Sequence, residues 1–404
     1  MRHERGPGSA VTRVGLYFAA VQFLFVTCWT VYVIYLPHLA AQAGIEKKWV
    51  IYILMADQAI FTLMDFSIGV AADKVSRTLG RLGRLLVVLT AISCLAFLLL
   101  PLAAPSGSPL LFLALIAIWA MTSSALRAPP MMMLGKYVPT PKLPWVSTLS
   151  LVGLGVAGAI APYLTVSLRG VDPRLPFVLS STALIAAVSA MLWAEKHLAA
   201  AAQVAPEPVA KKPVGPGVVL FFAAVALLGL GFQAHFALNS APLYLRFAKP
   251  EQLDLLMPVF WVGFNLLIFP ACRANERFGG GGVMAAGAVL GAFASALATV
   301  APSLESLLLL QFLAGGAWAA VLMSAMTAAI AIGHVGREGA ATGGLFALLA
   351  LATFVRMGLV AAQVNKDPAI GALLVWLPGA AWLAAGLLLI WLMLRFRAPV
   401  ASPQ

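Results

Sequence analysis

The chain of 404 residues is 62% hydrophobic and only 10% charged, with a mean hydropathy of +0.97. A water-facing globular surface needs roughly a quarter of its residues charged, so a soluble fold is excluded and lipid is the solvent. The formal net charge of +12 does not point to nucleic acid, because the basic residues sit in short loops between apolar runs with no basic stripe interleaved with aromatics. In lipid the backbone must satisfy its own hydrogen bonds, which leaves helices or closed barrels. Apolar runs of roughly 20 residues without alternating polarity exclude a barrel. The expected fold class is an all-α integral membrane protein, with the lipid bilayer as its main partner.

Taken in chain order against turn residues and charges, twelve spans are expected: 14–37, 49–72, 84–103, 110–138, 146–168, 176–195, 217–245, 253–272, 283–301, 304–332, 339–364 and 370–394. The apolar run after the basic segment Met1 to Arg13 is too long for the core of a signal peptide, so it reads as an uncleaved first helix. With the N-terminus placed inside, 17 of the 26 Lys and Arg residues fall on that side and seven on the other. Basic loops stay in the cytoplasm, so both termini are expected there, in a bacterial inner membrane. Between spans six and seven runs the only long polar segment, rich in Ala, Pro and Lys, as a flexible linker is. It divides the chain into 1–195, a linker 196–216, and 217–404. Cys28, Cys94 and Cys272 are odd in number, widely spaced and apolar in context, so they read as core residues and make no disulfide framework or metal site.

The halves echo one another. Leu16-Tyr17-Phe18-Ala19-Ala20-Val21 opens span one and Leu220-Phe221-Phe222-Ala223-Ala224-Val225 opens span seven, which with the linker favours a duplicated six-plus-six arrangement. After span two comes Gly69-Val70-Ala71-Ala72-Asp73-Lys74-Val75-Ser76-Arg77. This resembles the signature between helices two and three of the major facilitator superfamily, Gly-x-x-x-Asp-Arg/Lys-x-Gly-Arg, with Ser76 in place of the second glycine. Gly69 permits close helix approach, and Asp73 at the helix end is suited to pair with Arg77 or with a neighbouring helix terminus. The second copy, Asn275-Glu276-Arg277-Phe278-Gly279, is degraded. Span five carries Gly153-Leu154-Gly155-Val156-Ala157-Gly158-Ala159-Ile160-Ala161-Pro162, which loosely resembles the glycine-proline motif of the antiporters of that superfamily but reads first as small residues for helix packing. The resemblance implies two pseudo-symmetric six-helix bundles, with helices one, four, seven and ten lining a central cavity and helices two and eleven facing each other.

Charge near the bilayer centre is costly and asks for a partner or a pathway. Four charged residues lie well inside spans: Asp57 and Asp65 on span two, Arg127 on span four and Arg356 on span eleven. Asp57 lies ~12 Å and Arg356 about 13 Å from the outer ends of their spans, counted from Trp49 and Asn365. In the resembled fold this suggests a salt bridge that closes in one access state and breaks in the other. Asp65 and Arg127 are both roughly 25 Å deep and read as a structural pair inside the first bundle. Arg127 precedes Ala128-Pro129-Pro130, expected to kink span four and free backbone carbonyls toward a cavity. Gln233, His235 and Asn239 on span seven, of which His235 and Asn239 share a helical face, and Gln22, Trp29 and Tyr32 on span one are further candidate substrate contacts.

These features lead to an alternating-access secondary transporter, symporter or antiporter, expected to be a monomer that moves a small organic solute. Arg127, Arg356 and His235 lean toward an anionic or zwitterionic cargo. Proton coupling is expected, with Asp57, Asp65 and His235 the groups able to titrate inside the membrane. Alternatives are a drug exporter and a copper importer, the latter resting on Met131-Met132-Met133 and on Met323 and Met326, although the Met-x-x-x-Met and His-x-x-x-Met spacings of copper-importing members are missing. A non-transporting receptor or scaffold is the weakest reading. No nucleophile-base set, metal-ligand cluster or Walker loop is present in the sequence, so neither an enzyme nor a cofactor is expected.

Overall fold

The computed structural model describes residues 7–75, 81–201, 215–333, 337–364 and 367–395. Arg77 and Ser76 of the loop motif, Asn365, and most of the linker, with Lys211 and Lys212, lie outside the described residues. Within them the chain is all helix, and twelve helices are long and apolar enough to cross a membrane. They are α1 (Val11–Gln42), α2 (Lys47–Val75), α3 (Arg81–Ser106), α4 (Pro109–Tyr137), α5 (Thr140–Ser167) and α6 (Arg174–His197), then α7 (Pro216–Tyr244), α8 (Pro250–Phe278), α9 (Gly280–Thr299), α10 (Leu304–Gly333), α11 (Glu338–Ala361) and α12 (Leu377–Arg395). Each expected span has its helix. The last differs in form: a short helix Pro368–Leu374 precedes α12, with Asp367 capping it through the N–H groups of Ala369 and Ile370.

The helices form two pseudo-symmetric six-helix bundles. In the first, α1 packs on α5 and α6, and α3 on α4 and α6; in the second, α7 packs on α11 and α12, and α9 on α10 and α12. Between bundles, α2 lies along α11 and α5 along α8. Lipid-facing positions hold large apolar side chains left uncovered, among them Leu63, Leu95, Leu110 and Phe293. With hydrocarbon outside, apolar burial does not drive helices together, so close approach at small residues does that work. The α2–α11 seam shows this, with Gly69 and Gly339 each facing the other's carbonyl and Gly343 against the backbone of Asp65. At the α5–α8 seam Gly155 lies under Phe264 and Asn265, and Gly158 under the Trp261 ring. The small residues of α5 therefore sit at packing contacts. Cys28, Cys94 and Cys272 are free and buried.

Candidate functional site

A cavity of about 630 Å³ lies between the bundles, bordered by α1, α2, α4 and α5 on one side and α7, α8, α10 and α11 on the other. That volume suits a small organic molecule. Its wall is mainly apolar and aromatic, with Trp29, Phe61, Phe232, Phe236, Trp261 and Phe346, and its polar groups include Gln22, Gln58, Arg127, Gln233, Thr353 and Arg356. Among the described residues no carboxylate, histidine or cysteine lines it.

Arg127 sits where α4 is broken. The α-helical stretch ends at Ser123, a 3₁₀ turn covers Ser124–Leu126, and α-helix resumes at Ala128. Pro130 has no N–H to give the carbonyl of Leu126 four residues earlier, and Pro129 deprives Ala125 in the same way. Gln22 of α1 supplies the missing donor, its Nε2 donating to the Leu126 carbonyl at 3.1 Å. The break turns the Arg127 guanidinium toward the cavity floor, with Nη1 3.0 Å from Oδ2 of Asp65. Neither Asp65 oxygen has an aligned hydrogen bond, so the two meet as charges. The rings of Phe61 and Phe346 flank the guanidinium, their centroids 5.0 and 5.4 Å from Cζ. Phe61 lies four residues before Asp65 and so shares its helical face, a signal the sequence carried; nothing in the sequence pointed to Phe346.

Higher on the same wall stands Arg356, ten residues beyond Phe346 on α11 and so about 15 Å along the axis. It has no carboxylate within ion-pair distance among the described residues, and its Nε has no partner. Nearby on this wall Gln233 donates from Nε2 to the Thr353 hydroxyl at 2.9 Å. Thr353 and Gln58, both bordering the cavity, were not singled out in the sequence because lone amides and hydroxyls are common in apolar helices.

At the end of the molecule that carries the basic loops the two bundles meet. There Asp73 of α2 caps α11 across the bundle boundary: Oδ1 accepts from the Gly339 N–H at 2.6 Å and Oδ2 from the Ala340 N–H at 2.9 Å. A carboxylate at a helix N-terminus satisfies orphan donors and meets the positive end of the dipole. Lys74 follows it in the last turn of α2.

No family model matches the chain, and no curated protein does either. Solved structures do. A bacterial homologue of the iron transporter ferroportin, in an outward-facing state with soaked iron, superposes with a TM-score of 0.73 at 14% identity, covering 94% of this chain and 98% of that one. The same homologue in an outward-facing state scores 0.71 at 14% identity, over 95% and 100% of the two chains. The fucose:proton symporter FucP of E. coli scores 0.64 at 13%, over 95% and 99%. The chain has the major facilitator fold.

Within the major facilitator fold as this chain builds it, some of the candidate residues read from the sequence stand away from the cavity. Asp57 and Arg356 stand apart in this state, as the expected gate is in one of its two states; Asp57 is fully buried and its Oδ2 accepts from the Tyr32 hydroxyl at 2.7 Å. Depth along a helix fixes height but not azimuth, and Asp57 turns toward α1 while Arg356 turns into the cavity. Tyr32 consequently leaves the list of cavity residues, packed between Trp29 and Trp119 at 5.5 and 4.5 Å. His235 and Asn239 also leave it. Residues Gln233–Asn239 form a π-helical turn, which alters the spacing assumed for a shared face. His235 Nε2 bonds to Oε1 of Gln311 on α10 at 2.9 Å, and Asn239 donates to the carbonyls of Leu374 and Val375 at 3.2 and 3.3 Å. Both are buried with partners in their own bundle. Of the methionines, Met131 and Met326 border the cavity, whereas Met132, Met133 and Met323 are core. Gln22, Trp29, Arg127, Gln233 and Arg356 are brought to one space.

Proposed function

We propose that the chain is a secondary active transporter working by alternating access, and that its substrate is a small amphipathic organic anion moved together with a proton. The observation that carries the reading is Arg356, a cation facing an aromatic cavity with no carboxylate within ion-pair distance among the described residues. A free charge in such a place is costly unless a ligand answers it, and an acidic group attached to an apolar body answers both the guanidinium and the aromatic walls. Arg127, already balanced by Asp65, adds no net charge. A drug exporter for lipophilic cations calls for an acidic group on the cavity wall, where none stands among the described residues. The iron of the ferroportin homologue and the fucose of the symporter belong to those proteins. Iron favours harder oxygen and nitrogen ligands than the thioethers available here. Those thioethers, at Met131, Met257, Met326 and Met357, favour copper(I) as the second reading.

In this proposal the basic loops are cytoplasmic, the enclosing membrane is a bacterial inner membrane, and the cavity faces outward. The bundles of residues 1–195 and 217–404 rock about the cavity as bodies joined by the linker 196–216. The test is a thermal-shift screen of the purified monomer against aromatic carboxylates, amino acids, cationic drugs and copper(I). A ligand that binds the folded state raises the melting temperature by mass action. Carboxylates should stabilise the wild type and leave Arg356→Ala unmoved. Stabilisation by cationic drugs or copper(I) alone, equal in wild type and variant, would sink the anion reading.

A further inference from the structure

A second hollow of about 570 Å³ lies on the flank of the molecule, bordered by the α1–α2 turn, α2 and the start of α4. It shares no bordering residue with the central cavity. Its walls are apolar, with Ile53, Ile60, Leu113 and Ile116; Glu46 and Trp49 stand exposed at its rim, and Asp57 borders its inner side. Between the hollow and the substrate cavity runs an aromatic partition. Trp29 stacks on Trp119 at 5.7 Å and meets Phe61 at 5.5 Å, while Tyr32 lies against Trp119.

We propose that Asp57 is a proton-carrying site loaded from this flank hollow, separately from the substrate cavity, and that Tyr32 links its state to α1. The two deep carboxylates of α2 differ in their surroundings. Asp65 has Arg127 as counter-charge, and Asp57 has no cation within ion-pair distance among the described residues. A carboxylate buried without a counter-charge is expensive, and a bound proton removes that cost. Oδ2 accepts from Tyr32 while Oδ1 has no partner, so Oδ1 is the atom that takes the proton: an O–H bond of a hydronium entering through the hollow breaks, one forms at Oδ1, water is left behind and the charge on the carboxylate is discharged.

The groups around Asp57 leave few competitors. From α1 comes Tyr32; among the described residues that border the hollow, α4 gives Leu113, Ile116 and Ala117, all apolar; Arg356 of α11 opens onto the other cavity. Glu46 at the rim pairs with Lys48 at 2.7 Å. Tyr32 touches Trp29, which lines the substrate cavity, so a change at Asp57 reaches the substrate wall through two packed side chains.

The inference rests on the proposed proton coupling for its purpose, and its test needs no substrate. The full chain in liposomes is followed by infrared spectroscopy at neutral pH, reading the carbonyl stretch of a neutral carboxylic acid and its shift on transfer to D₂O. The wild type should show one such band, lost in Asp57→Asn, kept in Asp65→Asn and moved in frequency in Tyr32→Phe. At Asp57 asparagine matches the neutral acid in shape, so the fold is expected to hold; Asp65→Asn is made together with Arg127→Gln, so that no charge is stranded. Filling the hollow with Ala117→Phe should slow the deuterium shift several-fold, whereas Thr30→Phe in the substrate cavity should not. A band that survives Asp57→Asn, or no band in the wild type, overturns the proton site; slowing by Thr30→Phe alone overturns the separate route. Failure of the anion reading would appear in the thermal-shift screen and leave this band untouched.

Discussion

Asp65 and Arg127 show how a buried charge is tolerated here. Asp65 is wholly buried and Arg127 only slightly exposed, so removing one partner strands the other. Arg127→Gln should cost roughly 3–5 kcal/mol, while the double variant with Asp65→Asn should recover most of it, because no charge is then left alone. Melting temperatures of the three proteins check this; equal losses in single and double variants would mean that packing, not charge, is at stake. Gln22 acts at the same scale through the backbone. Gln22→Leu leaves the Leu126 carbonyl unsatisfied and should lower stability by about 1–3 kcal/mol, again read from the melting curve. These residues also mark what the sequence could disclose. The depth of Asp65 and Arg127, and the two prolines after Arg127, were legible from spacing alone. Which side of its helix Asp57 or His235 faces was not, since in an all-apolar helix no polar stripe reveals azimuth.

At the scale of single elements, α2, α4 and α11 carry the specialised geometry. The prolines of α4 predict its break, and the structure puts that break at Arg127 itself, so the kink and the charge are one device. The π-helical turn of α7 had no such signal; in it the Ser240 hydroxyl donates to the His235 carbonyl five residues back at 2.9 Å, while His235 and Asn239 reach partners on other segments, Gln311 and the carbonyls of Leu374 and Val375. Along the α2–α11 seam a side chain at Gly69 would fall on the Gly339 carbonyl. Gly69→Leu should therefore wedge the seam apart, read as a melting temperature below that of the wild type. Asp73→Asn keeps the shape of the cap and loses its charge; a cap of this kind contributes about 0.5–2 kcal/mol, measurable as a lowered melting temperature.

For the whole molecule, composition and run length were enough to give the twelve helices, because a chain so poor in charge has few ways to satisfy its backbone in lipid. The pairing of the bundles came from the resemblance and is matched by the contacts. The polar content of the cavity was only half legible, since its defining property is that no carboxylate among the described residues pairs with Arg356, and an absence of this kind depends on where every other side chain points. If the cavity faces outward, Thr165→Cys and Gln233→Cys should react in intact cells with a membrane-impermeant maleimide, while Ala340→Cys at the basic end should not. The native cysteines are buried and give little background. Reaction at Ala340→Cys alone would reverse the orientation.

Among the described residues the cap of Asp73 on α11 has no equal on the other side of the molecule. Its counterpart by position, Asn275, turns inward and donates to the Ser324 hydroxyl at 3.1 Å within its own bundle, so the α5–α8 seam is held by glycines beneath rings and no ion. The basic end is thus a door with a bolt along one jamb and plain bearings along the other. When the bolt slips, the α2–α11 edge should swing while the α5–α8 edge pivots. Paired spin labels across each edge would register this as a broad distance distribution at the first and a narrow one at the second.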